Sequence, residues 1–277
     1  MVKYGQLVIG PAGSGKTTYC ASVQSRMSSL GKACLVVNLD PAAEEVGYEC
    51  VADVRTLISV EDAAEELRLG PNGSLVYCME YLCDNVREWF ADTSACLADE
   101  DYVLFDCPGQ AELYEHLTCM RDVVRFLQSE EDFRLCCVYV LDSGLVDNVP
   151  RLIGGVFSAL SAMAMFELPH VSVLSKVDLM SEAERRRLES DFLEPEARSL
   201  LSQMSGSRGK LDECVAQLID DFSQVSFVTC NITSDDSIDD VLALIDSAIQ
   251  VGEDAEVIDR LQDEMDDDDN DASQAFL

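Results

Sequence analysis

Basic side chains are scarce in this 277-residue chain: 19 Lys and Arg stand against 53 Asp and Glu, a formal charge of −34. A protein that grips a nucleic-acid backbone needs a basic surface, because phosphate contacts and counterion release supply most of the affinity. A protein that lies on anionic lipid needs one too. Direct nucleic-acid binding and membrane binding are therefore excluded for the chain acting alone. Histidine is scarcer still, with only His116 and His170, and none of the twelve cysteines forms a C-x-x-C pair. A structural zinc site with the usual ligand spacing has no support. Long apolar runs are missing as well. The longest uncharged stretch, 152–166, is bounded by Arg151 and Glu167, which is too short to span a bilayer and suits a buried helix. The opening MVKYGQLVIGPAG has only a short apolar stretch before a glycine-rich turn and does not read as a signal peptide. Cysteine spread over so large a chain reads as a small core hydrophobe in a reducing compartment.

What the chain does have is hydrophobic content, 48%, enough for a real core despite the charge. Short apolar runs at 6–9, 33–39, 102–105, 135–141, 171–174 and 225–228 alternate with helical patterns such as 17–30 and 75–90. In the second of these, Leu75, Val76, Met79, Leu82, Val86, Trp89 and Phe90 fall at helical spacing. Near-continuous apolar strands separated by helices predict an α/β fold with a mostly parallel central sheet and helices on both faces. One domain is expected over 1–252, with a charged helical insertion at about 181–222. The segment 253–277 carries eleven acids and one Arg and is expected to be a solvated, disordered tail.

Residues 10–17, GPAGSGKT, match G-x4-G-K-[ST] directly after an apolar strand and before a helix, the context that a phosphate-binding P-loop requires. Gly13, Ser14 and Gly15 would turn backbone N–H groups toward the phosphates, and the following helix would add its positive end. Lys16 would bridge the β- and γ-phosphates, Thr17 would ligate Mg²⁺, and Thr18 completes the nucleotide-binding stretch. A second signal is the apolar run that ends in Asp106 and continues Cys-Pro-Gly109-Gln110. Asp106 would act on Mg²⁺ directly or through water, and the Gly109 N–H would reach the γ-phosphate. Gln110 then sits where a GTPase places the group that orients attacking water, and Glu112 could assist by hydrogen bonding. A third is Ser175-Lys176-Val177-Asp178, which fits [NST]-K-x-D. The Asp178 carboxylate can accept from guanine N1–H and N2–H together, a donor pair that adenine lacks. Ser175, in place of the Asn often found in GTPases, is expected to tether the loops less firmly. Lys176 could pack its stem over the base, and Cys230 is placed to touch the base through backbone. The chain has only five Lys, and two of them fill the positions where nucleotide chemistry asks for one. An ATP-using kinase is disfavoured by the Asp178 motif.

Two further segments, Asn38-Leu39-Asp40-Pro41-Ala42 and Gly70-Pro71-Asn72, join Asp106-Cys-Pro-Gly-Gln-Ala-Glu112. Together they resemble the GPN-loop GTPases, a dimeric branch of the P-loop NTPases, over residues from about 3 to about 252. The resemblance implies GTP hydrolysis to GDP with Mg²⁺ as cofactor, and a dimer in which the Gly70-Pro71-Asn72 loop of one subunit enters the other's site. Asn72 would contact the partner's phosphate or attacking water, while Asp40 and Asp106 support Mg²⁺ and water. Read without the family, GPNG is better explained as a plain turn. The resemblance also implies a homodimer, or a heterodimer with a GPN-loop paralogue. It further implies RNA polymerase II subunits or assembly factors as partners, and a cytoplasmic protein able to shuttle to the nucleus. The competing reading is a nucleotide-binding partner subunit with little or no catalysis, acting as an assembly scaffold.

Overall fold

The structure, a computed structural model, describes residues 2–98, 101–110, 113, 118–191 and 227–251. Its strands are β1 Lys3–Ile9, β2 Cys34–Asn38, β3 Cys50–Asp53, β4 Tyr102–Asp106, β5 Phe133–Asp142, β6 His170–Ser175 and β7 Phe227–Thr229. They form one sheet in the order β3-β2-β4-β1-β5-β6-β7, and every pairing is parallel. The inner strands are apolar and buried along their length, β4 at every residue, as a sheet covered on both faces demands. This is the α/β P-loop architecture that the alternating pattern predicts.

The helices are α1 Lys16–Ser29, α2 Val60–Leu67, α3 Pro71–Cys96, α4 Cys119–Ser129, α5 Val149–Phe166, α6 Glu182–Asp191 and α7 Asp235–Ala248. Two hydrophobic clusters lie on the two sides of the sheet. One gathers α1 and α7 side chains such as Tyr19, Val23, Val241 and Ile245 against Val8, Val36 and Leu104. The other packs α3, α4 and α5 against Leu7, Phe105 and Leu141. The α3 residues Leu75, Met79, Leu82, Val86 and Phe90 are buried on one stripe, and Phe90 meets Phe126 edge-on at 6.2 Å and Phe133 at 6.3 Å. The uncharged run 152–166 lies within α5, and no described helix is long and apolar enough to cross a membrane. The eleven described cysteines are free thiols and eight of them are buried.

The apolar runs do not anticipate β3. It has four residues, sits at the sheet edge with Val51 45% exposed, and carries no continuous apolar run. Pairing with β2, across a register irregularity between Val36 and Val37, recruits it. Of the insertion expected at 181–222, α6 is described; 192–226 and the acidic tail 253–277 lie outside the described residues.

Truncating Phe90 to Ala removes the ring on which Trp89, Phe105, Phe126 and Phe133 pack. We expect Phe90→Ala to lower stability by about 3–5 kcal/mol, read as a fall in the urea midpoint with an unchanged slope. A loss below about 1 kcal/mol would mean that the site repacks and that this cluster does not anchor α3.

Candidate nucleotide and metal site

The sheet register decides what meets at its carboxyl edge. Val8 lies opposite Asp106, Asn38 lies opposite Asp106, and Asp142 lies opposite Ser175. The loops leaving β1, β2, β4, β5 and β6 therefore emerge side by side, where open α/β sheets bind ligands.

The loop after β1 is shaped by glycines that no other residue could replace at two points. Gly10 has φ +143°, and a Cβ there would lie 2.2 Å from the Val140 carbonyl oxygen. Gly15, at φ 96°, is the N-cap of α1 and provides no side-chain cap, so the first amides of the helix are left for another acceptor. Ser14 is buried with its hydroxyl unpartnered. Lys16 is 7% exposed and its Nζ donates to the Pro11 carbonyl at 3.1 Å, which leaves donors to spare on an ammonium. Burial lowers its pKa, and the charges of Asp106 and Asp40 oppose that.

Asp106 ends β4 and is 2% exposed. Burial raises its pKa; Thr17, Tyr48 and Lys16 act to lower it. Tyr48 donates its hydroxyl to Oδ2 at 2.9 Å, whereas Oδ1 is buried with no partner. Asp40 stands nearby with its pKa also raised by burial, and its Oδ1 accepts from the Ala42 N–H at 2.9 Å. An unpartnered carboxylate oxygen costs free energy unless something satisfies it, and a hydrated divalent cation would. Among the described residues no group of three or more His, Cys, Asp or Glu could hold a metal alone. That donor set fits Mg²⁺, which keeps several waters and takes one or two carboxylates plus phosphate oxygens. Thr17, Thr18, Asp40 and Glu44 line a cavity of about 630 Å³ on this side, a size within the range of ligand pockets.

The Asp40 segment is held by a network of its own. Asn38 Nδ2 donates to Asp53 Oδ1 at 3.0 Å and to the Asp40 carbonyl at 3.2 Å, and Asn38 Oδ1 accepts from the Asp40 N–H at 3.0 Å. Arg55 grips Asp53 through Nε and Nη2 and reaches the Ala43 and Glu44 carbonyls through Nη1 at 2.9 and 3.0 Å. Burial works against the Asp53 anion, but the Arg55 and Asn38 hydrogen bonds prevail and its pKa is lowered.

Gly109 abuts the phosphate loop: a Cβ there would lie 2.8 Å from Ala12 Cα and 3.0 Å from Lys16 Nζ. Gln110 follows with a buried, unpartnered Oε1. Glu112 lies outside the described residues.

At the base end, Ser175 Oγ reaches both the Ser14 and Leu141 carbonyls, the second at 3.0 Å. The expected weak tether is thus corrected: the phosphate loop comes so close to the end of β6 that a serine is long enough, and Gly15 faces the Ser175 side chain. Lys176, in the left-handed region at φ 60°, donates to the Gly13 carbonyl at 2.6 Å and to Asp142 Oδ2 at 2.7 Å. Asp178 Oδ1 is buried without a partner, while Arg185 fixes the backbone of this turn through the Val177 and Asp178 carbonyls. Cys230 is buried beside it, its thiol pushed up to about 11 by burial and by the Asp178 charge. The Cys230 N–H is spent on the Leu174 carbonyl at 2.8 Å, so it is not a donor to a base.

Gly70, Pro71 and Asn72 are elsewhere. Gly70 is the N-cap of α3, Pro71 its first residue, and all three are exposed; the segment is a helix start and not a free turn, with Pro where its missing N–H costs nothing. Sequence reasoning places Asp142 at the ligand-binding edge of the sheet but does not single out Tyr48 or Arg55. Asp142 shows as a carboxylate closing an apolar strand; Tyr48 is known by its distant partner Asp106, and Arg55 by its bonds to Asp53, Ala43 and Glu44 nearby in the chain.

A family model described as a conserved hypothetical ATP binding protein matches residues 8–251. The chain is 44% identical to the GPN-loop GTPase 3 of Danio rerio, over 93% of this chain and 91% of that one. It is 42% identical to that of Mycosarcoma maydis over 92% and 95%, and 41% identical to that of Saccharomyces cerevisiae over 91% and 94%. Among solved structures, an apo-form GTPase from Pyrococcus abyssi matches with TM-score 0.74 and 23% identity, covering 88% of this chain and 97% of that one. At that identity the likeness is one of fold.

The tight approach of Gly109 to Ala12 gives a direct test. Adding a methyl would push the two loops apart at a cost of about 1–3 kcal/mol, so Gly109→Ala should weaken nucleotide binding roughly tenfold or more in a fluorescent-nucleotide titration. Wild-type affinity in a variant with a normal melting curve would show that the 106–110 loop does not shape the phosphate site.

Proposed function

This chain belongs to the GPN-loop GTPase family, and we propose that it binds GTP with Mg²⁺, hydrolyses it to GDP as a dimer, and uses the nucleotide state to control a surface serving RNA polymerase II assembly and nuclear import. The observation that carries the choice of nucleotide is the buried, unpartnered Asp178 Oδ1 beside the P-loop. Guanine offers a donor pair to such a carboxylate; adenine would leave it desolvated and unmatched. The family model's description speaks of ATP, but this acceptor favours guanine.

When bound, Mg²⁺ would neutralise charge on the β- and γ-phosphates. Thr17, Asp106 and Asp40 would hold it, and Lys16 would turn from its own loop carbonyl to the phosphates. Gly109 would bring its N–H to the γ-phosphate, and Gln110 would use its unpartnered Oε1 to accept from the attacking water. Asn72 is exposed on the first turn of α3, where Pro71 stiffens it, a position suited to entering the site of another subunit. Its amide offers a donor and an acceptor but no charge. It would orient water without neutralising the transition state as an Arg does, so modest turnover is expected.

The assembly role follows from the family resemblance together with the charge. Outside 253–277 the chain still carries about −24, and such a surface attracts basic faces of unassembled protein clients. A chain working in the cytoplasm and shuttling to the nucleus would meet those clients.

GTP turnover measured alone and with paralogues, alongside molecular mass in solution, tests the reading as a whole. Nucleotide binding without turnover in any combination would favour the scaffold alternative. Asp178→Asn should erase a GTP-over-ATP preference of about 2–4 kcal/mol, roughly 30- to 1000-fold; a variant that discriminates as well as wild type would remove Asp178 from base reading. Asn72→Ala should slow turnover roughly 10- to 100-fold while GTP affinity holds, and unchanged turnover would reduce the segment to a helix cap.

A further inference from the structure

Tyr48 has no place in the motifs that point to nucleotide chemistry, yet it makes a direct contact with their central carboxylate. It stands between Asp40 and β3, 9% exposed, with its ring in the cluster that also contains Val8, Tyr19, Cys20 and Val36. Its hydroxyl donates to Asp106 Oδ2 at 2.9 Å, across 58 positions of sequence. A phenylalanine would fill the same apolar surroundings, so the position of the hydroxyl is what the tyrosine adds. The Asp106 carboxyl is held at Oδ2 by this bond, with the Thr17 side chain also acting on the group. Oδ1 is the buried oxygen without a partner.

The segment that carries Tyr48 is anchored at three other points, one of them next to it: Gln24 accepts from the Glu49 N–H at 2.9 Å and donates to the Glu49 carbonyl at 2.8 Å. Asn38 holds the Asp40 backbone on both sides, through the N–H at 3.0 Å and the carbonyl at 3.2 Å. Arg55 holds the Ala43 and Glu44 carbonyls. Tyr48 is a fourth anchor, and the one that ends on a proposed metal residue. Asp40 and Tyr48 lie at opposite ends of one tethered loop, and both act on the same small volume.

We propose that Tyr48 is a positioning residue for the metal. By fixing Asp106 Oδ2 it leaves Oδ1 as the oxygen available to a hydrated divalent cation, and it couples the 40–48 loop to occupancy of that site. The proposal rests on the nucleotide and Mg²⁺ reading above. It assigns Tyr48 no contact with substrate and no proton transfer.

The test is a Mg²⁺ titration of the full chain bound to a fluorescent GDP, with Tyr48→Phe against wild type. Loss of a hydrogen bond that orients a metal-binding carboxylate typically lowers metal affinity 10- to 100-fold. We expect the Mg²⁺ midpoint of the variant to rise roughly tenfold, with GDP affinity in EDTA within about twofold of wild type. An unchanged midpoint would overturn the proposal and leave Tyr48 a core residue. Should Tyr48→Phe fold poorly, 3-fluorotyrosine placed at position 48 alone keeps the side chain and its donor. Its ¹⁹F resonance should move when Mg²⁺ saturates the GDP complex, and a resonance that stays put would overturn the proposal equally. A wild type that binds GDP identically in Mg²⁺ and in EDTA is a different result. It would overturn the metal reading of the whole site and this inference with it.

Discussion

The site depends on the register of a parallel sheet. Because Val8 of β1 and Asn38 of β2 both lie opposite Asp106 of β4, three loops of unrelated sequence leave the sheet at one level. The pairing of Asp142 with Ser175 does the same for the other half. In a parallel sheet that level is set by buried, nearly continuous apolar strands, which hold their register through packing on both faces. The aromatic cluster around Phe90 and the α1–α7 layer thus reach the chemistry indirectly. They keep the strands from sliding, and the loops inherit their positions.

A chain with a formal charge of −34 must still hold a polyanion. It does not need a basic surface for that. The attraction is local: backbone amides of the uncapped α1 N-terminus and the ammonium of Lys16, with a divalent ion opposite. Lys176 contributes in another way. Its charge is matched by Asp142 at 2.7 Å and it bonds the Gly13 carbonyl, so its first task is to fasten the base-reading turn to the phosphate loop. On the proposed reading, the acidic remainder of the surface would serve association with basic partners.

Much of this was legible in the sequence where a function is written in neighbouring residues. The phosphate loop is a local turn, so its glycines, lysine and threonine appear as a string. Strand β4 shows as four hydrophobes before Asp106, and α3 as a stripe. What was not legible is what depends on partners far away in the chain. Tyr48 reaches Asp106, and Lys176 reaches both Asp142 and Gly13, over 34 to 163 positions. No spacing rule expresses such pairings. Strand β3 escaped notice because its pairing with β2 overrides a weak local preference. The weak tether expected of Ser175 failed for a similar reason. The shortness of its side chain was visible, but the closeness of the Ser14 carbonyl was not.

The residues that escaped notice share one task, which is to hold acceptors in place before any ligand arrives. Asp106 Oδ1, Gln110 Oε1 and Asp178 Oδ1 are buried without protein partners, each at a cost of order 1–3 kcal/mol if nothing satisfies it. A fold keeps such groups only where the surrounding structure leaves them no alternative. Tyr48 and Thr17 both hold the Asp106 carboxyl, and Arg185 holds the Val177 and Asp178 carbonyls. Satisfying these acceptors therefore releases energy already stored in the folded chain. Nucleotide and metal would bind a site that needs little rearrangement around the phosphates and the base.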